Sequence, residues 1–530
     1  MINDLRSCIS ALESQGLLRH VAAEVDHTWE LSAIMRWVYI GYPEDQRYAV
    51  VFDRVKGYDI PVVVGAIGGS YKTYAACLGI DPKQPRAKVM NDVRERWAKA
   101  LDNPIEPVLV KSGPCKENIL KGDQVNIHKF PIPVWTPEKD QGWDEGYGFL
   151  TSPYHVCKDP DTGVPNVGTY RNMVRKAPNE LGMVWAGGSH MRYYYLKNQE
   201  RGKATEIATV IGGDPAVGMA SVTPVPLGMN EYAVAGGLRG APVELVKCET
   251  VDLEVPANAE IVIEGRMRTE QERPYEWEGP FGEYTGYQGS ASHGPVYEIT
   301  CITHRNKPIY QAFISQAPPS ESSKVRHIGH EALALRELRA LGIPGIVDIN
   351  MPEMAQVGVT IVSIRKQNDG HPGRIASALF GLPRNTKFVI ITDDDVDIYD
   401  LDSIMWAMSF RTSLIPGRMR VYFYEGQQAL HLDYSAYNSI AEAKSKKIAI
   451  MSGVVIDATR PFVPYPVVAL PPVKYLKRAR DAWQKTGLPP LLNTEPPRCI
   501  VMEEEYLEKG LAAKPEFVSN SEPRREQSSQ

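Results

Sequence analysis

The segment from Glu276 to Gly286 reads Glu-Trp-Glu-Gly-Pro-Phe-Gly-Glu-Tyr-Thr-Gly and holds the residue types best suited to proton transfer. Glu278 and Glu283 flank a Gly-Pro-Phe-Gly turn, which can direct both carboxylates into one cavity while Phe281 packs behind them. Carboxylates held close together and away from water raise each other's pKa, and a glutamic acid becomes a proton donor near neutrality in this way. On this segment alone, an acidic surface turn is the favoured alternative.

A second group of residues combines an amide, an imidazole and a carboxylate. Asn166 opens the segment Asn-Val-Gly-Thr-Tyr-Arg, which ends at Arg171, while His190 follows a Gly-Gly-Ser turn and Glu231 precedes an apolar, glycine-rich run. One oxygen or nitrogen from each side chain forms an octahedral divalent site when phosphate oxygen and water complete the shell. The residue types indicate this chemistry, but the three residues are too far apart in the sequence for their spacing to show that they meet.

Three other motifs favour structural interpretations. In the loop 65–73, Gly-Ala-Ile-Gly-Gly-Ser-Tyr-Lys-Thr, the Lys-Thr pair does not directly follow a glycine as the Walker motif requires. The loop is therefore interpreted as a structural turn. His327 and His330 are three residues apart but do not form H-E-x-x-H, so metal ligation is the minority interpretation. The run 393–397, Asp-Asp-Asp-Val-Asp, follows a strand and could bind a hard cation, but we favour helix capping by Asp397 or Asp400 with the others solvated.

Composition excludes several classes of protein. With 530 residues, a net charge of -5 and no long Lys/Arg stripe, the chain is a multidomain globular protein with no affinity expected for nucleic acid. Its seven scattered cysteines predict neither a disulfide framework nor a thiolate zinc site, which fits a reducing cytoplasm. We expect neither a signal peptide nor a membrane span.

The sequence patterns of helices and strands around these residues predict an α/β multidomain fold. Helices mixed with short strands, at 48–52 and 61–64, predict an N-terminal α/β element over residues 1–112. The expected first helix is capped by Asn3-Asp4 and runs to Leu17. Residues 113–315 predict a β-rich barrel domain, with strands at 259–264, 296–303 and 309–314.

Further along the chain, the periodicity changes from strand-like to helical. A connecting segment covers 316–344, and its helical period begins at Glu331. Alternating strands (345–348, 357–364, 387–392, 420–424) and helices (371–381, 400–411) predict a mainly parallel C-terminal α/β domain over 345–510, with a basic helix at 474–486. The charged tail at 511–530 is expected to be disordered.

Over residues 5–490 the chain resembles the UbiD family of reversible decarboxylases that use prenylated FMN. The resemblance is carried by the motifs beginning at Asn166, Ser189-His190, Glu231, Leu245 and Glu278, and by the aspartate run at 393–397, all in one order. It implies a split β-barrel that holds the flavin, flanked by a small N-terminal α/β element and a C-terminal parallel-sheet domain that forms a homodimer or homohexamer.

The same resemblance implies the ligands of the cofactor. Asn166, His190 and Glu231 look like ligands of a manganese-type ion that holds the cofactor phosphate, with potassium expected on carbonyls near Ala220, Ser221 and Thr223. The residues expected to contact the flavin are Thr169, Tyr170, Arg171, Ser189, Ser221, Val222, Thr223 and Pro224. A flavin prenyltransferase is the expected supplier of the cofactor.

Arg171, Glu278 and Glu283 resemble the family's catalytic triad. Loss of CO2 from an aromatic or α,β-unsaturated acid leaves a carbanion, and the modified flavin binds the substrate covalently and delocalises that charge. Arg171, held by Glu278, can orient the departing carboxylate, and Glu283 then protonates the carbon.

Two other functions are less well supported by the residues. A subunit of a larger carboxylase assembly, acting mainly through interaction, would have no need of all three triad residues. An ordinary FMN oxidoreductase would leave the paired carboxylates idle, and the sequence offers nothing that resembles a nicotinamide site.

The resemblance also places the segment 318–326 beside the pocket above the flavin. Lys324, Arg326 and His327 lie in this neighbourhood, with Tyr284 close to the triad. In the alternative interpretation these cations face solvent and cap a helix that begins near His330. Since a buried cation needs a polar or anionic partner, we expect a heteroaromatic or hydroxylated aromatic carboxylic acid as substrate rather than plain cinnamate.

Overall fold

The structure is a computed structural model, and it describes residues 2–136, 147–185, 189–289, 291–382, 386–414, 419–425, 450–461, 468–491 and 494–508. The expected α/β multidomain class is confirmed, with an antiparallel sheet curled into half a barrel between two α/β regions. The predicted tail at 511–530 lies outside the described residues. Within the described residues, no helix is both long and apolar enough to cross a bilayer.

The N-terminal region packs helices against a small sheet. Its elements are α1 (Leu5–Ser14), β1 (Leu18–Val25), α2 (Glu30–Gly41), β2 (Ala49–Val55), β3 (Val62–Val64), α3 (Tyr71–Cys77) and α4 (Arg86–Asp102). The apolar runs predicted as strands form β2 and β3, whose β-branched side chains are largely buried. Asp4 caps α1 as predicted, accepting a hydrogen bond from the Ser7 backbone N–H, although the helix ends at Ser14 rather than Leu17.

One pair of cysteines corrects the expectation drawn from their number. Cys8 in α1 and Cys77 at the end of α3 form a disulfide, with Cα atoms 5.4 Å apart. The two residues are separated by 69 positions and meet because α1 packs against α3, which the count of cysteines does not reveal. Cys115, Cys157, Cys248, Cys301 and Cys499 carry free thiols.

The middle of the chain is built mainly of strands. They are β4 (Val108–Leu109), β5 (Asn118–Lys121), β6 (Phe149–Leu150), β7 (Tyr154–Lys158), β8 (Pro165–Thr169), β9 (Asn172–Val174), β10 (Glu180–Met183), β11 (Thr205–Ile211), β12 (Glu244–Lys247), β13 (Glu254–Pro256), β14 (Ile261–Met267), β15 (Glu276–Glu278), β16 (Phe281–Gly282), β17 (Gln288–Gly289), β18 (Ser292–Gly294) and β19 (Val296–His304). The half-barrel follows the order β6-β9-β10-β19-β14-β11-β7-β8, with β5 paired to β19. The strands predicted at 259–264 and 296–303 are its antiparallel neighbours β14 and β19.

Three helices cover the outer strand β8: α5 (His190–Glu200), α6 (Pro215–Val222) and α7 (Glu231–Arg239). Ser189 caps α5 and Asn230 caps α7, each accepting a hydrogen bond from a backbone N–H of the first turn. Caps at these positions make His190 and Glu231 the first residues of two helices that pack on the strand carrying Asn166. Local capping therefore brings three distant segments towards one place.

Two elements differ from the sequence prediction. The strand expected in the barrel at 309–314 is β20 (Tyr310–Ala312), which pairs in parallel with β3 and completes the N-terminal sheet. The connecting helix α8 (Glu321–Ala340) begins ten residues before Glu331, at a capping box formed by Ser320 and Ser323. Its first turns bury Glu321, Ser323, Lys324 and His327 together with Val325 and Ile328, so buried polar residues interrupt the helical hydrophobic period there.

The C-terminal region is a layered α/β unit. Its elements are β21 (Ile346–Asn350), β22 (Val359–Ile364), α9 (His371–Phe380), β23 (Phe388–Asp393), α10 (Leu401–Arg411), β24 (Met419–Glu425) and β25 (Ile450–Ala458). The central strands β22, β23 and β25 are parallel as predicted, whereas the flanking strands β21 and β24 pair antiparallel. Helices Val473–Asp481 and Arg498–Glu508 follow, and the second of these was not predicted.

The aspartate run after β23 is only partly as expected. Asp400 caps α10, accepting hydrogen bonds from the backbone N–H groups of Asp402 and Ser403, which confirms the capping interpretation. The expectation that the neighbouring aspartates are solvated is wrong for Asp393, Asp394 and Asp395, which are all buried. Asp395 accepts two 2.7 Å hydrogen bonds from Arg411. A buried carboxylate needs such a partner because desolvation otherwise disfavours its charge.

Candidate active site

Arg171 stands between β8 and β9 and binds both carboxylates of the predicted triad. Its Nε and one Nη donate hydrogen bonds of 2.9 and 2.8 Å to the two carboxylate oxygens of Glu278. Its other Nη donates to Glu283 Oε1 at 2.8 Å. The structure therefore brings the three residues together as the sequence predicted.

Two short hairpins explain how residues five positions apart reach one guanidinium. Glu278 ends β15, which pairs with β18, and Glu283 follows β16, which pairs with β17. The centre of the Phe281 ring lies 5.0 Å from the centre of the Arg171 guanidinium, so Phe281 packs against the cation that both carboxylates bind. Phe149 adds a second ring at 6.0 Å, which sequence reasoning missed.

The two carboxylates differ in access to solvent. The Glu278 side chain is fully buried, whereas Glu283 keeps 31% of its side-chain surface exposed. Glu278 is thus committed to Arg171 through a bidentate pair, and Glu283 is the carboxylate that a ligand can reach. Burial lowers the pKa of Arg171, but the charges of Glu278 and Glu283 outweigh it and raise that pKa above its ordinary value, which keeps the guanidinium cationic.

Asn166 lies on β8, and His190 and Glu231 are the first residues of α5 and α7, two helices that pack on that strand. Asn166 is a buried residue of this strand, and its side-chain Nδ2 has no hydrogen-bond partner within the described residues. Glu231 is also buried and accepts a 3.0 Å hydrogen bond from the backbone N–H of Val167, the neighbour of Asn166. His190 heads α5, which packs on the same strand.

The electrostatics of these residues fit a divalent cation. Among the described residues, no Lys or Arg forms an ion pair with Glu231, and its burial raises its pKa to about 7. Burial lowers the pKa of His190, which favours the neutral imidazole that binds metals. Within the described part of the chain, no three His, Cys, Asp or Glu side chains cluster as metal ligands, so a site here depends on the amide of Asn166.

The predicted flavin-contacting segments lie next to these residues. Thr169 Oγ1 donates to Ser221 Oγ at 2.7 Å, and Ser221 Oγ donates to the Gly218 carbonyl at 2.8 Å, which links β8 to the end of α6. The Tyr170 ring lies against Gly168, where a Cβ would come within 2.6 Å of the tyrosine oxygen. The glycine therefore allows Tyr170 to pack along the strand.

The other residues predicted to contact the flavin are Val222, the last residue of α6, and Thr223 and Pro224, which follow it. Val222 is half-buried, Thr223 is buried and Pro224 is exposed. Of the carbonyls predicted for potassium, that of Ala220 accepts a hydrogen bond from Thr223 N–H and that of Thr223 accepts one from Val225 N–H. The potassium site stays a prediction.

The four predicted pocket residues fall into two groups. Arg326 places its guanidinium 4.4 Å from the ring centre of Tyr284, the residue after Glu283. Lys324 is fully buried elsewhere, with Nζ 2.5 Å from Glu44 Oε1 and 3.3 Å from Glu353 Oε2, and His327 Nε2 is 3.4 Å from that Nζ.

The position of α8 corrects the solvent-facing alternative for these cations. They lie within the helix rather than before a helix that begins near His330, and Lys324 and His327 are buried. The protein itself supplies the acidic partners of Lys324, so this lysine does not require an anionic substrate.

A buried polar pair behind Arg171 was missed by sequence reasoning. His155 on β7 lies with Nε2 2.5 Å from Asn172 Oδ1, and Asn172 Nδ2 donates to the Gly182 carbonyl at 3.4 Å. Both side chains are fully buried, and Asn172 directly follows Arg171 in the chain. Their signal was present as polar residues within otherwise apolar strands.

Comparison with known proteins places this geometry in a family. Three models of the 3-octaprenyl-4-hydroxybenzoate carboxy-lyase match in order: the N-terminal domain over residues 9–93, the Rift-related domain over 107–318 and the C-terminal domain over 325–458. An uncharacterised protein of Archaeoglobus fulgidus is 35% identical over 458 residues, covering 82% of this chain and 89% of its own. The chain belongs to the UbiD family of carboxy-lyases.

Solved structures show the same fold over most of the chain. An evolved dimeric form of the UbiD-class enzyme HmfF from Pelotomaculum thermopropionicum, in complex with prFMN, is 31% identical with a TM-score of 0.73, covering 88% of this chain and 97% of its own. The closed form of vanillic acid decarboxylase from Sedimentibacter hydroxybenzoicus is 28% identical with a TM-score of 0.73, covering 96% and 99%. The apo 3,4-dihydroxybenzoic acid decarboxylase of Klebsiella pneumoniae is 26% identical with a TM-score of 0.73, covering 89% and 99%.

Proposed function

We propose that this protein is a prenylated-FMN-dependent, reversible decarboxylase of a heteroaromatic or hydroxylated aromatic carboxylic acid. The observation that carries the proposal is the Arg171 guanidinium, held bidentately by buried Glu278 and bound on its other edge by accessible Glu283. A planar cation with one edge fixed and one edge reachable is suited to binding a substrate carboxylate.

The three residues then divide the work. Glu278 fixes the guanidinium, and the substrate carboxylate displaces Glu283 from the reachable Nη of Arg171. Glu283, released from Arg171, takes up a proton from water at its exposed side and delivers it to the carbon that has lost CO2. In the carboxylation direction the same carboxylate takes up the proton.

The cofactor belongs beside β8. Asn166, His190 and Glu231 would hold a divalent ion such as Mn2+ against the cofactor phosphate, because a buried carboxylate without a cationic partner needs a positive charge. When bound, prenylated FMN supplies an electron sink for the negative charge left on the substrate carbon. Thr169, Tyr170 and Ser221 are the residues proposed to contact the flavin. The carbonyls near Ala220 and Thr223 are the proposed potassium ligands.

The substrate class rests on Arg326. Among the described residues its guanidinium makes no ion pair or hydrogen bond, and it lies over Tyr284 beside the acid Glu283. A half-buried cation in this position favours a ring that carries a hydroxyl, a heteroatom or a second carboxylate.

We also propose a homodimer or a homohexamer built through the C-terminal sheet. Phe410 at the end of α10, Leu414 and Phe423 on the edge strand β24 expose 69%, 74% and 76% of their surfaces. Apolar side chains so exposed on one region are typical of a subunit interface. The mass of the particle in solution, measured by light scattering, tests this.

The substrate proposal is tested by co-expression with a flavin prenyltransferase and an assay of CO2 release. The panel contains cinnamate and the hydroxybenzoate, pyrrole, furan, indole and phenazine carboxylates. We expect turnover of hydroxylated or heteroaromatic acids, reduced in Arg326→Ala. A clear preference for cinnamate, unchanged in that variant, would show that Arg326 lies outside the pocket.

A further inference from the structure

The glycine-rich loop 65–70 binds an anion, and that anion belongs to the protein itself. The backbone N–H groups of Gly65, Ile67 and Gly68 donate to the carboxylate of Glu321 at 2.8, 3.2 and 3.1 Å. Glu321 is fully buried and is the first residue of α8. The loop that superficially resembles a phosphate loop is therefore a seat for the N-terminus of the connecting helix.

The shape of the loop depends on Gly68. A Cβ at this position would come within 2.7 Å of the Glu321 carbonyl oxygen and 2.7 Å of Val325 Cγ2. Both atoms belong to α8, so even the smallest side chain at Gly68 displaces the helix or the loop. The close approach of α8 explains why position 68 is a glycine.

A second contact from the N-terminal region holds the segment just before the helix. Arg36 in α2 donates to the Ala317 carbonyl at 2.7 Å. Ala317 and Pro318 in turn lie against Gly286, where a Cβ would be 3.5 and 3.6 Å from their side chains. Gly286 N–H donates to the Glu283 carbonyl, so this segment backs the turn that carries the acid.

The same helix presents Arg326 to the active site. Arg326 stacks on Tyr284, whereas Glu321, little more than one turn earlier, is locked in the N-terminal loop. The seat of α8 therefore contacts no reacting atom but fixes one wall of the pocket.

We infer that Glu321 is a positioning residue whose carboxylate, bound in the backbone cradle of Gly65–Gly68, sets the placement of Arg326 and Tyr284 beside the acid Glu283. The inference rests on the proposed function for its kinetic consequence but not for its structural one. Displacement of a positioning group by about 1 Å can cost a factor of roughly 10² in rate constants that depend on substrate alignment.

The test uses two variants of the full, cofactor-loaded chain. Glu321→Gln places an amide N–H2 among backbone donors, and Gly68→Ala pushes on α8 while leaving the carboxylate intact. Gly358→Ala is the matched control, because a Cβ there meets no atom within 4 Å. Hydrogen–deuterium exchange of peptides covering 281–289 and 316–327 is measured together with KM and kcat on an aromatic acid.

We expect faster exchange in these two peptides, a KM raised roughly tenfold with a smaller change in kcat, and unchanged cofactor content, in both variants but not in the control. Exchange and KM within twofold of wild type in both variants would overturn the inference. So would uniform acceleration of exchange with loss of cofactor, because Glu321 would then serve general stability. If wild-type enzyme shows no turnover, the proposed function fails, while the exchange data still judge the position of α8.

Discussion

The guanidinium of Arg171 determines the chemistry available at this site. It is planar, remains charged, and is bound on one edge by a fully buried carboxylate and on the other by an accessible one. A lysine carries the same charge but offers no fork that matches Glu278. In the proposed function, orientation of the substrate carboxylate by Arg171 therefore depends on geometry as well as on charge.

Arg171→Lys is expected to lower turnover by roughly 10²-fold with cofactor binding retained, because a point charge cannot form the bidentate pair. Steady-state CO2 release and the flavin spectrum are the measurements. Arg268→Lys is the control, since Arg268 pairs with Glu298 outside the triad. Wild-type turnover in Arg171→Lys would assign Arg171 a structural role instead.

Glu283→Gln removes the transferable proton while keeping size and hydrogen bonding. Decarboxylation is expected to fall by roughly 10²-fold or more, along with hydrogen–deuterium exchange at the substrate carbon. Glu276→Gln is the matched control, because Glu276 lies on β15 and pairs with Arg175 instead of Arg171. Persistence of both reactions in Glu283→Gln would mean that another group is the acid.

Glu231→Ala is expected to release the metal and, with it, the cofactor. The buried carboxylate has no Lys or Arg partner among the described residues, so its loss leaves the bound cation short of negative charge. Metal analysis and flavin absorbance after desalting should show a roughly 10- to 100-fold loss of affinity, and Glu200→Ala at the end of α5 is the control. Full retention of metal would contradict the proposed ligand role.

The sequence predicted the contents of the triad better than the contents of the pocket. Glu278 and Glu283 flank a Gly-Pro-Phe-Gly turn that can direct both carboxylates into one cavity, and the resemblance assigned them to Arg171. Lys324 looked equally suited to the pocket, but its partners Glu44 and Glu353 come from distant segments that only the tertiary fold brings together. Long-range ion pairing of this kind leaves no periodic signal in a single sequence.

At the scale of elements, strands β7 and β9 are joined behind the triad by a buried polar pair. His155 is fully buried against Asn172, and burial lowers its pKa from 6.5 to about 4. The neutral imidazole therefore donates to the amide oxygen and links the strand that follows Arg171 to the sheet. The stability of the protein therefore depends on pH at this pair, because His155 binds a proton at a higher pH in the unfolded chain than in the folded chain.

Between about pH 6.5 and 4 the unfolded chain is protonated at His155 while the folded chain is not, so stability falls as the pH is lowered. A pKa difference of this size corresponds to about 3 kcal/mol of unfolding free energy. His155→Gln, which keeps the donor to Asn172, is expected to flatten this part of the pH dependence, measured by urea unfolding from pH 4 to 8.

The control for this prediction is His20→Gln. Hydrogen bonds to Asp53 and Glu13 raise the pKa of His20, so its contribution is present at low pH and is lost as the pH rises through the folded value. The two variants should therefore change the slope in opposite directions. An unchanged slope in His155→Gln would show that His155 is not the group that resists protonation.

Element boundaries followed the sequence where hydrophobic burial dictated them. The strands β14 and β19 and the helices α9 and α10 lie where their apolar periods predicted. Helix α8 began ten residues early because its first turns bury ion pairs and a carboxylate, which the period does not register. β20 was predicted in the barrel but belongs to the N-terminal sheet, because the sequence of a three-residue strand does not indicate which strand it pairs with.

At the scale of the whole molecule, we propose that the half-barrel holds the cofactor, while α8 carries Arg326, which stacks on Tyr284 next to Glu283. The proposed domain limits at 112/113, 315/316 and 344/345 remain predictions, because β20 crosses from the middle of the chain into the N-terminal sheet. We propose that the Arg171–Glu278–Glu283 arrangement acts on an aromatic acid with prenylated FMN as electron sink.

The most direct test compares one protein preparation loaded with prenylated FMN, with plain FMN, or with neither, in the presence of Mn2+ and K+. CO2 release from a hydroxylated or heteroaromatic acid is followed under identical conditions. Turnover with prenylated FMN alone, abolished in Glu283→Gln, is the predicted result. Equal turnover with plain FMN, or none with any acid of the panel when prenylated FMN is bound, would show that the protein is not a prenylated-FMN-dependent decarboxylase of these acids.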